Sequence, residues 1–178
     1  MHLTCTNMTR AAIREALTRA KHAGVQNIMA LRGDPPKGAR WARCADGFEH
    51  AVDLVKFIHD EFGDYFGIVV AGYPEGHPES GSYEEDLCHL KAKVDAGASM
   101  IVTQLFYDVE RCLSFIRDCR SAGILCPILP GKYAYMLNCA GECVRARVNT
   151  ALALCPYAKG VSYAQVSCQS KTTKALSV

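Results

Sequence analysis

The chain has 178 residues, 49% apolar and 21% charged, enough for one domain with a sizeable core and unlike a disordered chain. Its 20 basic and 18 acidic residues leave a formal net charge of +2, which gives no case for a nucleic-acid partner. No apolar run approaches the ~18 residues of a membrane span, and Met1–Thr6 lacks the basic and apolar regions of a signal peptide; the expectation is a soluble, cytoplasmic (cytosolic) protein with no membrane partner.

The first predicted helix runs from about Met8 to Ala23. Ile13, Ala16, Leu17 and Ala20 share one face, Thr6 or Asn7 stands where a cap belongs, and Gly24 suits the position after the end. His2-Leu3-Thr4 before it reads as the end of a strand. Ile28–Leu31 follows as a continuously apolar strand, the pattern of burial on both faces. A second helix is predicted over Gly47–Phe62 with Phe48, Ala51, Val52, Val55, Ile58 and Phe62 inward, and Gly67–Ala71 as its strand. Ser82-x-x-Glu85 is a capping box and opens a third helix with Leu87, Leu90 and Val94 inward, followed by a strand over Met100–Thr103. Asp108 is the predicted N-cap of a fourth helix, with Val109, Leu113, Ile116 and Cys119 inward, and Cys126–Pro130 is the fifth strand.

This β-α alternation predicts an α/β fold with a parallel sheet covered by helices. Arg32-Gly33-Asp34, Gly72-Tyr73-Pro74 and Gln104 fall just after strands, where ligands sit in (β/α) barrels and open α/β sheets alike. Glycine and proline there explain a turn of the chain. They do not explain Arg32, Asp34, His77, Asp86, Lys93 and Gln104 in the same layer. Ten cysteines show no CxxC and no paired Cys/His spacing of a zinc site, so they read as reduced structural thiols and no metal is expected. After Gly131 the composition changes: residues 1–131 carry a formal charge of −3 and residues 132–178 carry +5. The β-α pattern also stops there. The expected organisation is an incomplete barrel domain over 1–131 and a divergent, weakly structured tail over 132–178 with one helix near 140–154.

The segments HLTCTNM (2–8), NIMALRGDPP (27–36), AVDLVKFI (51–58), FGDYFGIVVAGYPEGHPES (62–80), DLCHLKAKVDAGA (86–98), IVTQLFYD (101–108) and CPILPG (126–131) resemble the methylenetetrahydrofolate reductase family in collinear order. The resemblance implies an eight-stranded (β/α) barrel that holds FAD, of which this chain carries about five parallel strands, the family's third to seventh. It implies hydride transfer from NAD(P)H to the flavin and then to 5,10-methylenetetrahydrofolate. The product, 5-methyltetrahydrofolate, is the methyl donor for making methionine.

Residue by residue, the resemblance implies that His2 contacts FAD and that Arg32, Gly33 and Asp34 form the RGD turn beside the flavin, with Asp34 also near the folate. His50 and Ala51 match a cofactor-contacting helix start, and Tyr73 matches a tyrosine beside the cofactor. His77, Pro78, Glu79 and Ser80 match the loop that wraps it. Asp86 suits a ribose hydroxyl and Lys93 the pyrophosphate, seven residues apart on one helix face. Gln104 matches the glutamine that hydrogen-bonds the pterin, whose edge needs a donor and an acceptor.

The family's general-acid glutamate has no counterpart, so no catalytic residue is expected within the chain. It is expected to be a fragment without reductase activity of its own. The alternatives are a non-catalytic truncated homologue that binds flavin weakly or joins a full-length subunit, and an unrelated barrel enzyme using a desolvated lysine for Schiff-base chemistry. The choice between NADPH and NADH, and homo-oligomer formation, stay open.

Overall fold

The computed structural model describes residues 1–35, 38 and 42–131. The expected tail over 132–178 lies outside the described residues. Five strands and four helices alternate: β1 (His2–Thr4), α1 (Arg10–His22), β2 (Asn27–Leu31), α2 (Ala51–Phe62), β3 (Gly67–Gly72), α3 (Tyr83–Asp95), β4 (Met100–Thr103), α4 (Val109–Ser121) and β5 (Ile128–Leu129).

The sheet order is β1-β2-β3-β4-β5 and every pair is parallel. A doubly wound sheet reverses its strand order at a switch point. Here each crossover advances one strand in the same direction, the arrangement of consecutive units of a (β/α) barrel. Right-handed crossovers that all advance this way put their helices on one face.

That face is the core. Ile28, Ala30, Ile68, Val70, Ile101 and Ile128 are buried, together with Ile13 and Leu17 of α1, Leu54, Val55 and Ile58 of α2, Leu90 of α3 and Phe115 of α4. The alternate positions Met29, Leu31, Val69, Ala71, Met100, Val102 and Leu129 are only partly buried. The expectation that the Ile28–Leu31 strand is buried on both faces is therefore corrected: Met29 and Leu31 are only partly buried. The apolar runs are real, but only every second side chain meets the helices.

Ser82 and Asp108 are the N-caps of α3 and α4, as expected, while the starts of α1 and α2 are shifted inward. Thr9, not Thr6 or Asn7, caps α1, its Oγ1 accepting from the Ala12 N–H at 3.2 Å; Asn7 instead takes a left-handed turn with φ 55°. The second helix begins at Ala51 rather than Gly47, with His50 as N-cap, so Phe48 reaches the core from the turn before the helix. There its ring meets Phe57 at 5.0 Å between centroids. Ser82 Oγ accepts from the Glu85 N–H at 3.1 Å as the capping box requires, while the Glu85 carboxylate reaches Gly81 N–H at 2.8 Å. In α4 the buried stripe is Cys112, Phe115, Ile116 and Cys119, one step round from the expected Val109 and Leu113. The fifth strand shortens to Ile128–Leu129. Pro127 precedes it, its carbonyl accepting from the Ile101 N–H at 2.9 Å.

Candidate functional site

A cavity of about 330 Å³ opens at the carboxyl ends of β2 and β3. Leu31 and Arg32 reach it from the end of β2, His50 to Val52 from the start of α2, and Ala71 and Tyr73 from the end of β3. His77, Glu79 and Ser80 come from the loop after β3, and Asp86, His89, Ala92 and Lys93 from α3. Its volume is at the low end for ligand pockets. Nine of its fifteen lining residues carry a polar or titratable group, and six are apolar.

The turn after β2 is held against the turn after β1. The Arg32 carbonyl accepts from Cys5 N–H (3.0 Å), Thr6 N–H (3.1 Å) and Thr6 Oγ1 (2.9 Å). Gly33 follows with φ 86°, and a Cβ there would stand 2.6 Å from Thr6 Oγ1 and 2.9 Å from Thr4 Cβ. Only glycine fits both the backbone angle and the space.

On α3, Asp86, His89 and Lys93 fall at i, i+3 and i+7 and share the face towards the cavity. Asp86 is 8% exposed, which sets aside a solvated helix face for this carboxylate. Lys93 Nζ donates to the Ala71 carbonyl at 2.9 Å. Burial pulls the Lys93 pKa below the ordinary lysine value, and the Asp86 charge opposes that shift. Lys93 is thus a buried lysine whose ammonium is held by the Ala71 carbonyl.

The loop after β3 is built on Tyr73 and His77, whose rings meet edge to face at 4.5 Å. Burial first, then the Asp86 charge, pushes the Tyr73 hydroxyl above its ordinary pKa. His77 Nδ1 accepts from the Glu79 N–H at 3.1 Å, which leaves Nε2 as the donor of the neutral ring. Arg32 Nη2 pairs with Glu79 Oε2 at 2.6 Å.

Of the residues expected at the site, Arg32, His50, Ala51, Tyr73, His77, Glu79, Ser80, Asp86 and Lys93 line this cavity. His2, Gly33, Asp34, Pro78 and Gln104 are not among its lining residues. His2 is exposed on β1 with its Cα opposite Met29. Asp34 and Gln104 are exposed at the same end of the sheet, following the carboxyl ends of β2 and β4, and Gln104 N–H donates to the Gly72 carbonyl at 2.7 Å. His89 and Val52 were not expected. His89 was legible from its spacing to Asp86 and Lys93; Val52, read as a core residue, was not.

Among the described residues no group of three or more His, Cys, Asp or Glu side chains is placed to hold a metal ion. No described helix is long and apolar enough to cross a membrane.

Residues 1–137 match the family model described as methylenetetrahydrofolate reductase, which runs past the compositional boundary at 131. A probable methylenetetrahydrofolate reductase (NADH) of Oryza sativa is 49% identical over 170 residues, covering 85% of this chain and 29% of that protein. Methylenetetrahydrofolate reductase (NADH) 1 of Arabidopsis thaliana is 51% identical, covering 80% and 27%. The 5,10-methylenetetrahydrofolate reductase of Salmonella typhimurium is 45% identical, covering 73% and 42%. The chain therefore spans between about a quarter and two fifths of these relatives. With the family model matching well over half of its length, the chain belongs to the methylenetetrahydrofolate reductase family.

Proposed function

We propose that this chain carries the flavin-binding part of an FAD-dependent methylenetetrahydrofolate reductase, which uses NAD(P)H to reduce 5,10-methylenetetrahydrofolate to 5-methyltetrahydrofolate. The observation that carries the reading is the convergence of Arg32, Lys93, Asp86, Tyr73 and His77 on one cavity at the carboxyl end of a parallel sheet. The donor set fits a dinucleotide. Lys93 and Arg32 supply positive charge for a pyrophosphate, Asp86 supplies acceptors for ribose hydroxyls, and Tyr73 and His77 supply flat rings. Bound there, FAD would supply the hydride relay between the nicotinamide and the folate.

The described residues at the cavity are suited to binding and orienting a ligand. The carboxylates lining the cavity are Glu79 and Asp86. Glu79 is ion-paired with Arg32, and Asp86 is buried on the same face of α3 as Lys93. Gln104, at the same end of the sheet, offers an amide for a pterin edge.

The test is anaerobic titration of the FAD-loaded chain with NADH and NADPH. Loss of the oxidised-flavin absorbance supports the reading, and its recovery on adding 5,10-methylenetetrahydrofolate supports the folate half. A chain that takes up no flavin contradicts it.

A further inference from the structure

Glu75 is not among the cavity-lining residues and has no role in the reading above. It is exposed, yet its Oε1 accepts from two consecutive backbone donors, Tyr107 N–H at 3.1 Å and Asp108 N–H at 3.3 Å. Asp108 is the N-cap of α4, its Oδ1 accepting from Glu110 N–H (2.9 Å) and Arg111 N–H (3.2 Å). Glu75 thus adds a second carboxylate one step upstream, where the helix dipole favours negative charge. Its own backbone belongs to the loop after β3, where Gly76 N–H donates to the Tyr73 carbonyl at 3.0 Å.

The segment 104–108 is therefore fastened at both ends to residues 72–77. Gln104 N–H holds the Gly72 carbonyl at one end, and Glu75 holds Tyr107 and Asp108 at the other. Between them Phe106 is 4% exposed and anchors the segment in the core. Gln104 has an exposed side chain on a stretch with no regular structure, so its placement depends on these fastenings.

We propose that Glu75 is a positioning residue: it holds the Gln104–Asp108 segment in register with the cofactor loop, so that the Gln104 amide is presented to the folate beside the flavin. This rests on the folate reading of Gln104 given above. A carboxylate suits the task because one oxygen can take two neighbouring N–H donors and both bonds are charge-assisted.

The experiment compares the full chain with Glu75→Ala and Glu75→Gln, reading amide exchange at Tyr107 and Asp108 and the affinities for 5-methyltetrahydrofolate and FAD. In Glu75→Ala both amides should exchange about tenfold faster or more, the scale of a lost charge-assisted bond. Affinity for 5-methyltetrahydrofolate should fall about tenfold and FAD affinity should change less than about twofold, because Lys93 and Arg32 are untouched. Glu75→Gln keeps an acceptor oxygen and should restore most of both losses. Unchanged exchange in Glu75→Ala overturns the proposal. Faster exchange with unchanged folate affinity also overturns it, since Glu75 then only caps a helix. A wild-type chain that takes up no 5-methyltetrahydrofolate overturns the folate reading itself and the substrate role of Glu75 with it; that outcome needs no variant, which tells it apart from a failure of Glu75 alone.

Discussion

Arg32 Nη2 and Glu79 Oε2 stand 2.6 Å apart and join the loop after β2 to the loop after β3 at the lining of the cavity. Arg32 is one quarter exposed and Glu79 more than half. An anionic ligand entering the cavity meets this arginine already oriented.

The pair predicts a split between stability and binding. Because Glu79 is largely in water, Glu79→Gln should move the unfolding free energy by no more than about 1 kcal/mol. Arg32→Ala should weaken FAD by about tenfold or more, the cost of a charge-assisted contact. Urea unfolding and flavin-fluorescence titration measure the two. Equal stability losses and unchanged FAD affinity in both variants would make the pair purely structural.

Gly33→Ala should destabilise the protein by about 1–3 kcal/mol. The new Cβ meets Thr6 Oγ1 and Thr4 Cβ well inside contact distance, on a backbone at φ 86°. Because the Arg32 carbonyl is tied to Cys5 and Thr6 in the same turn, the strain should also displace Arg32 and lower FAD affinity. A urea midpoint equal to that of the wild type would show that the turn yields at no cost.

Much of this was legible in the sequence. The helices ended where glycine follows the last apolar position, as at Gly24, Gly97 and Gly123, all with positive φ. The cluster of Arg32, Tyr73, His77, Asp86 and Lys93 was legible because each lies just past a strand or on one helix face. The start of α2 was not, because residues 47–50 carry apolar Phe48 at helical spacing, and only the tertiary packing shows that Phe48 enters the core before the helix begins. The half-open sheet face was hidden for a similar reason. A run of apolar residues does not say how many partners it will meet. Glu75 was passed over because its partners are backbone amides 32 and 33 residues away, which no side-chain pattern encodes.

The cysteines should differ sharply in reactivity. Burial pushes the Cys5 and Cys119 thiols up to about 12, so neither is a thiolate at neutral pH. Cys112 is buried and Cys88 is exposed on α3. Alkylation of the native protein followed by peptide mass spectrometry should find Cys88 modified well before Cys5, Cys112 and Cys119. Early labelling of Cys5 would mean that the turn after β1 opens readily.

Lys93 sets a pH dependence. Its folded pKa lies below the ordinary value, so between the two the unfolded chain keeps a proton that the folded chain gives up. Stability then rises with pH across that window, and the cost of the buried ammonium is fully present below it. Measured against Lys93→Met, the wild type should gain relative stability as the pH climbs towards the ordinary lysine range. A difference that is flat with pH would show that Lys93 is charged equally well in both states.

The central claim is that the cavity between β2, β3, α2 and α3 binds FAD through Lys93 and Arg32. The most direct test is a titration of FAD into the purified chain by flavin fluorescence, repeated with Lys93→Met at two salt concentrations. The account predicts saturable binding of one FAD per chain, at least about tenfold weaker in Lys93→Met, with a smaller salt dependence once that positive charge is gone. Binding of equal strength and equal salt dependence in the variant, or no saturable binding by the wild type, would contradict it.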